Sequence, residues 1–180
     1  LCKTFLAGSQ VHVGAAIAFP LGQTTLEDKL SETRNAIKNG ADEIDYVVNL
    51  TKLKAGDTAY IESEMARITD ICREFSVVSK VIFENCYLTE DEKKTLCHIA
   101  TKVKPDFIKT STGFGTGGAT FEDVALMKRE TEGSGVKIKA AGGIRTLKTA
   151  LEMINLGVSR IGSTSSVAIM EEYMANSPLL

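Results

Sequence analysis

Four apolar runs in this chain carry charge at alternate positions, and that alternation restricts the fold more than any other feature. Successive side chains of a strand point to opposite faces. Over residues 43–48, Ile44, Tyr46 and Val48 share one face, while Glu43, Asp45 and Val47 share the other. Over 77–84, Val81 and Phe83 oppose Lys80, Ile82 and Glu84. Ile108 and Thr110 oppose Lys109, and Ile138 and Ala140 oppose Lys137 and Lys139. An open parallel sheet with helices on both sides would bury those charges under helices. A barrel turns one face inward, where opposite charges can meet near the C-terminal mouth. The alternation therefore selects an α/β (β/α)8 TIM barrel over an open doubly wound sheet, although the count of six βα units suits the open sheet.

The order of elements supports repeated βα units. Leu1–Leu6 reads as the end of a helix. Residues 11–19 form the first expected strand, closed by Pro20-Leu21-Gly22. Thr25 begins a helix that Gly40 stops. After the strand at 43–48, residues 51–56 read as a loop. From Asp57 a long helix sets Ile61, Met65, Ile68, Cys72 and Phe75 on one stripe, read as core packing. Thr89-x-x-Glu92 is a capping box opening a helix with Leu96, Ile99, Ala100 and Val103 on one face. Pro105 precedes the strand of Lys109. Thr120 and Thr146 open two further helices around the strand at 136–141. A short strand at 158–162 and a helix to about Ala175 follow, with a loose tail from Asn176 to Leu180. No linker or composition shift divides the chain, so 1–180 reads as a single domain.

Bulk properties exclude several classes. A net charge of −2 offers no electrostatic footprint for nucleic acid or a membrane surface. No apolar run reaches the roughly 18 residues of a spanning helix. The four cysteines (Cys2, Cys72, Cys86 and Cys97) form no CxxC pair and, with His12 and His98, match no zinc spacing. A reduced, cytoplasmic setting is the expectation.

Lys109 sits in Asp106-Phe107-Ile108-Lys109-Thr110-Ser111-Thr112-Gly113. Taken alone it is either an edge lysine that reaches water or a buried amine with a lowered pKa and a task. Asp45, Glu84, Lys109 and Lys139 all fall late in their strands, where barrel enzymes place their chemistry. Two ammonium groups that converge destabilise each other's charge, which can leave one a neutral nucleophile toward a carbonyl. A carboxylate beside them can relay protons through water. Lys80 and Glu84 read as members of a set of ion pairs that tie the barrel together, and Glu43 and Lys137, nearer the N-terminal ends of their strands, read as structural too. The strand ends lack the histidine or carboxylate cluster of metal-dependent aldol chemistry.

Gly113-x-Gly115-x-x-Gly118 matches a dinucleotide fingerprint, but the next strand carries only lysines where the ribose-binding acid belongs. The better reading joins three turns: Thr112-Gly113, Gly142-Gly143 and Gly162-Ser163-Thr164-Ser165. Their N–H groups and hydroxyls would form an anion site. Arg145 either assists there or is solvated.

These motifs resemble the deoxyribose-phosphate aldolase family of class I, Schiff-base aldolases. The matching segments are Phe19-Pro20-Leu21-Gly22, Gly40 to Asp45, Phe107 to Gly115, Lys139 to Thr146, and Arg160 to Ser163. The resemblance implies reversible cleavage of 2-deoxy-D-ribose 5-phosphate to acetaldehyde and D-glyceraldehyde 3-phosphate, with no metal or organic cofactor. It makes Lys109 the Schiff-base lysine, Lys139 the lysine that tunes it and Asp45 the proton-relay carboxylate. It sets Gly113, Gly142, Gly143, Thr164 and Ser165 on the phosphate-binding turns. Phe114 stands where some relatives carry a lysine. Two strands that the family has before Val11 are not in this sequence, so its strands would be numbers three to eight, and open edges would favour a homo-oligomer. Two alternatives stand beside this: another class I aldolase acting on a ketose phosphate, or an inactive sugar-phosphate-binding barrel fragment.

Overall fold

The computed structural model describes residues 1–176. Six strands run in one parallel sheet whose spatial order is the chain order. They are β1 (Gly14–Ile17), β2 (Glu43–Val47), β3 (Val78–Ile82), β4 (Phe107–Lys109), β5 (Lys137–Ala141) and β6 (Arg160–Gly162). The helices are α1 (Cys2–Phe5), α2 (Leu26–Lys38), α3 (Leu50–Lys54), α4 (Thr58–Glu74), α5 (Glu90–Val103), α6 (Phe121–Glu130), α7 (Leu147–Asn155) and α8 (Ser166–Asn176).

Local chemistry starts most of these helices. Thr25, Asn49, Asp57, Thr89, Thr120 and Thr146 each cap a helix by accepting an N–H from its first turn. Each such cap contributes about 1 kcal/mol. At α5 the Glu92 side chain also accepts the Thr89 N–H, completing the expected capping box.

The sheet is curled. Neighbouring strands lie about 4.8 Å apart, so in a flat sheet β2 and β6 would stand about 19 Å from each other. Yet the Arg160 guanidinium, on β6, pairs with Glu43 on β2. Lys139 on β5 reaches Asp45 on β2 at 2.8 Å. Only a concave face lets these side chains meet. The expected strand parity holds: Ile44, Tyr46, Val48, Val81, Phe83, Ile108, Ile138 and Ala140 join the outer core under the helices. Ile61, Met65, Ile68 and Cys72 of α4 pack into the same core.

Several local expectations change. The first strand is shorter than 11–19, because Ala18 adopts a left-handed φ of 56°. Residues 51–56 are not a loop: Asn49 caps the short helix α3 there. Phe75 leaves the core stripe, since α4 ends at Glu74 and its ring is 49% exposed. Glu84 lies beyond β3, with φ 58°, and leads into a 3-10 turn at Asn85–Tyr87. α8 ends at Asn176, and the rest of the expected loose tail lies outside the described residues.

Behind β2, outside the barrel interior, Lys29 and Glu64 form an ion pair at 2.7 Å, both fully buried. Lys29 also donates to the carbonyl of Val47, and Glu64 accepts the N–H of Asn49. The pair thereby ties α2 and α4 to the end of β2. Lys29→Met should destabilise the fold by about 3–5 kcal/mol, because Glu64 is left buried and unpaired. Lys29→Met/Glu64→Leu should recover most of that loss in urea denaturation. A single variant as stable as the double would show that the pair has no such role.

Glu43 sets the acid limit of the curl. Burial alone would raise its carboxyl, but hydrogen bonds from Lys80, Arg160 and His12 outweigh burial and bring it from 4.5 to about 2. A lowered folded pKa means stability that is complete above the ordinary value. That stability is lost as pH falls from 4.5 toward 2. The urea midpoint should fall through this window. Glu43→Gln should start lower at neutral pH and show a flatter acid profile; an unchanged profile would remove Glu43 as the cause.

Candidate active site

The site is built on the inward face of β2 to β5. Asp45 and Lys80 are register partners on β2 and β3, and Lys109 and Lys139 are partners on β4 and β5. Ile82 pairs with both Val47 and Lys109, so Lys109 stands two residues nearer the C-terminal mouth than Asp45. The lysine side chains reach back down to the carboxylate. Asp45 Oδ2 accepts from Lys109 at 3.0 Å and from Lys139 at 2.8 Å. Its Oδ1 accepts from Lys80 at 2.7 Å, and Lys80 also pairs with Glu43 at 2.7 Å.

This crowding controls protonation. Burial would push Asp45 up, but Lys109, Lys80 and Lys139 outweigh it and hold the carboxyl well below its usual range. Lys109 is lowered, first by burial and then by the Lys139 and Lys80 charges, while Asp45 opposes the shift. Lys109 as a residue is 7% exposed, and the Phe19 ring centroid lies 5.7 Å from Nζ. A buried amine with a lowered pKa and access to a cleft can act as a nucleophile.

That cleft has a volume of about 410 Å³ and is lined by Lys109 and Lys139 at its base. Thr112, Gly113, Gly142, Gly143 and Thr164 form its wall, with Arg145 and Gly162. The three glycine-bearing turns thus come together as the spacing suggested. Gly142 and Gly143 have φ of 85° and 79°, and a Cβ on Gly118 would lie 2.3 Å from the Gly142 carbonyl oxygen. Gly118 therefore serves backbone packing between two of the turns, which leaves the dinucleotide fingerprint without a separate purpose. Ser165 is not at the cleft wall, and its N–H donates to Ser163 Oγ at 2.9 Å. Gly162, Ser163 and Thr164 line the cleft at that turn.

Sequence reasoning missed three features. Arg160 closes on Glu43 across the barrel, and its place at the start of the last strand on the charged parity was the available signal. Phe19 covers Lys109, although nothing in residues 11–22 marks that ring as interior. Glu84 was expected in an ion pair; its carboxylate instead binds Thr112.

Comparison with known proteins agrees with this geometry. The sequence model described as DeoC/LacD family aldolase matches residues 5–164. The deoxyribose-phosphate aldolase of Lactobacillus acidophilus is 57% identical over 170 residues, covering 94% of this chain and 71% of the relative. That of Bacteroides thetaiotaomicron is 52% identical over 172 residues, covering 96% and 72%. Among solved structures, an aldolase called QR15 superposes with a TM-score of 0.88 at 40% identity, over 94% of this chain and 75% of that one. The tetrameric deoxyribose phosphate aldolase of Aeropyrum pernix gives 0.87 at 28% identity, over 97% and 73%. The inward lysines of a curled parallel sheet and these matches lead to one conclusion: the chain belongs to the DeoC/LacD family of aldolases and is a carbon–carbon lyase.

Proposed function

We propose that this aldolase cleaves 2-deoxy-D-ribose 5-phosphate reversibly through a Schiff base on Lys109. The observation that carries the reading is the pair of lysines sharing one oxygen of Asp45 at the base of a glycine-walled cleft. Neutral Lys109 adds to the sugar aldehyde, and loss of water gives the protonated imine. The C3 hydroxyl gives up its proton, the C2–C3 bond breaks and its electrons pass into the imine as an enamine. D-Glyceraldehyde 3-phosphate leaves. A proton then returns to C2, and water releases acetaldehyde and the Lys109 amine. Asp45 and Lys139 stand where protons must move, with a water as the carrier. The lysine itself supplies the electron sink, so the course needs no metal or organic cofactor. The N–H groups at Gly113, Gly142, Gly143 and Thr164 would receive the phosphate.

Family likeness in the names of the relatives supports the substrate, and Asp45, Lys109 and Lys139 are the roles proposed for it. The six strands would take places three to eight of an eight-stranded barrel, in one domain over 1–180. Four free cysteines suit a reducing cytoplasm, and no described helix is long and apolar enough to cross a membrane. A homo-oligomer fits the exposed Leu151, Ile154, Met170 and Tyr173 on α7 and α8, and the solved A. pernix relative is described as tetrameric.

Borohydride reduction in the presence of acetaldehyde, followed by peptide mapping, should place the adduct on Lys109. Lys109→Leu should abolish it. An adduct elsewhere, or none on the folded wild-type protein, would sink the mechanism.

Lys139→Met should lower kcat/KM by about 100-fold, the scale of a lost proton-transfer partner. Removing a neighbouring ammonium raises the Lys109 pKa, so the rising limb of the pH–rate profile should move toward alkaline pH. An unmoved limb would show that Lys139 does not tune Lys109.

A further inference from the structure

Glu84 is fully buried and has no cationic partner among the described residues. A carboxylate held that way needs strong hydrogen bonds. Thr112 supplies two: its N–H donates to Oε1 at 3.1 Å, and its hydroxyl donates to Oε2, while the Cys86 thiol donates to Oε1 at 4.0 Å. The same hydroxyl accepts the N–H of Phe114 at 3.0 Å. The turn is thus tied on both sides of Gly113. The N–H of Gly113 alone is left without an internal acceptor among these three, at the wall of the cleft.

The backbone around Glu84 is arranged for this. The N–H of Phe83 donates to the Lys109 carbonyl at 2.9 Å, and that of Asn85 donates to the Thr110 carbonyl at 2.9 Å. Glu84 lies between them with a left-handed φ of 58°, a conformation that costs a non-glycine residue energy. Three consecutive residues therefore grip the end of the lysine strand and the turn that follows it. The loop then passes directly over the carboxylate: a Cβ on Gly115 would stand 3.2 Å from Glu84 Cδ and 2.7 Å from Cys86 Sγ.

We propose that Glu84 is a positioning residue that sets the Thr112–Gly113 turn, so that the Gly113 N–H meets the substrate phosphate. It acts through Thr112 and does not touch the sugar. The inference rests on the aldolase reading for its substrate, and on the turn geometry for its mechanism. It differs in sign from simple electrostatics. A buried negative charge near a phosphate site repels the ligand, so charge relief alone would tighten binding in Glu84→Gln. Loss of positioning weakens it. In Glu84→Gln the Thr112 hydroxyl must accept from the amide on its second lone pair instead of donating to a carboxylate, so two charge-assisted hydrogen bonds become neutral ones and the tie weakens.

The test compares wild type, Glu84→Gln, Thr112→Val and the double variant. Each is assayed with 2-deoxyribose 5-phosphate and with 2-deoxyribose, and is titrated with inorganic phosphate. Glu84→Gln should raise KM for the phosphorylated sugar about tenfold and weaken phosphate binding to the same extent. Its kcat/KM for the phosphate-free sugar should change by no more than about twofold. Thr112→Val should raise the KM for the phosphorylated sugar by a similar factor, and the double variant should lose no more than either single one, because the two residues act as one unit. Thr112→Val carries the test if Glu84→Gln does not fold. Equal losses on both sugars, a lowered KM in Glu84→Gln, or additive losses in the double variant would overturn the proposal. Wild-type protein that forms no acetaldehyde adduct would instead remove the aldolase reading, and the phosphate titration would still judge Glu84.

Discussion

One carboxylate organises the interior. Asp45 receives Lys80 on one oxygen and Lys109 and Lys139 on the other. Below it Glu43 receives Lys80, Arg160 and His12. Before Lys109 itself is counted, these two carboxylates face Lys80, Lys139 and Arg160, so this cluster carries one more positive than negative charge. That excess has two consequences with one cause. It disfavours the charged form of Lys109, the lysine that burial already presses toward neutrality. It also favours an anion in the cleft above. The amine that must be neutral and the phosphate that must be held draw on the same field.

The geometry of that field depends on the stiffness of β2. On the inward side, Asp45 and Glu43 are clamped by cations from β3, β5 and β6. On the outward side, Lys29 and Glu64 hold the Val47 carbonyl and the Asn49 N–H. A strand gripped on both faces has little freedom to move its aspartate. Buried ion pairs are costly to desolvate and add little net stability compared with apolar packing. Their contribution here is registration: they specify which strand faces which across the curl.

Much of this was legible without coordinates, because it follows from short-range rules. Period-two alternation identified the outer core residues from Ile44 to Ala140, and period-3.6 spacing identified Ile61, Met65, Ile68 and Cys72. The Thr89–Glu92 box and the threonine caps are local chemistry and stand where expected. The structure departs from the periodic pattern where a helix ends, where a residue distant in sequence intervenes, or where a short turn folds on itself. Phe75 continues the helical stripe by spacing but falls one residue beyond the helix end. Glu84 continues the strand by parity, yet its backbone turns left-handed and its carboxylate meets Thr112 instead of a lysine. Ser165 carries a hydroxyl beside Thr164, but the Ser163 side chain has already engaged its N–H.

The sequence by itself determined which side chains share a face, where helices begin, and that two lysines and an aspartate stand on the charged side of three strands. Those properties are set by bond geometry and by contacts a few residues apart. Only the tertiary structure decided how far the sheet curls, and therefore that Glu43 reaches Arg160 and Asp45 reaches Lys139 across strands that are not adjacent. Distances of that kind depend on twist accumulated over the whole sheet and on the packing of the helices outside it. They convert three charged strand positions into one oxygen shared by two amines.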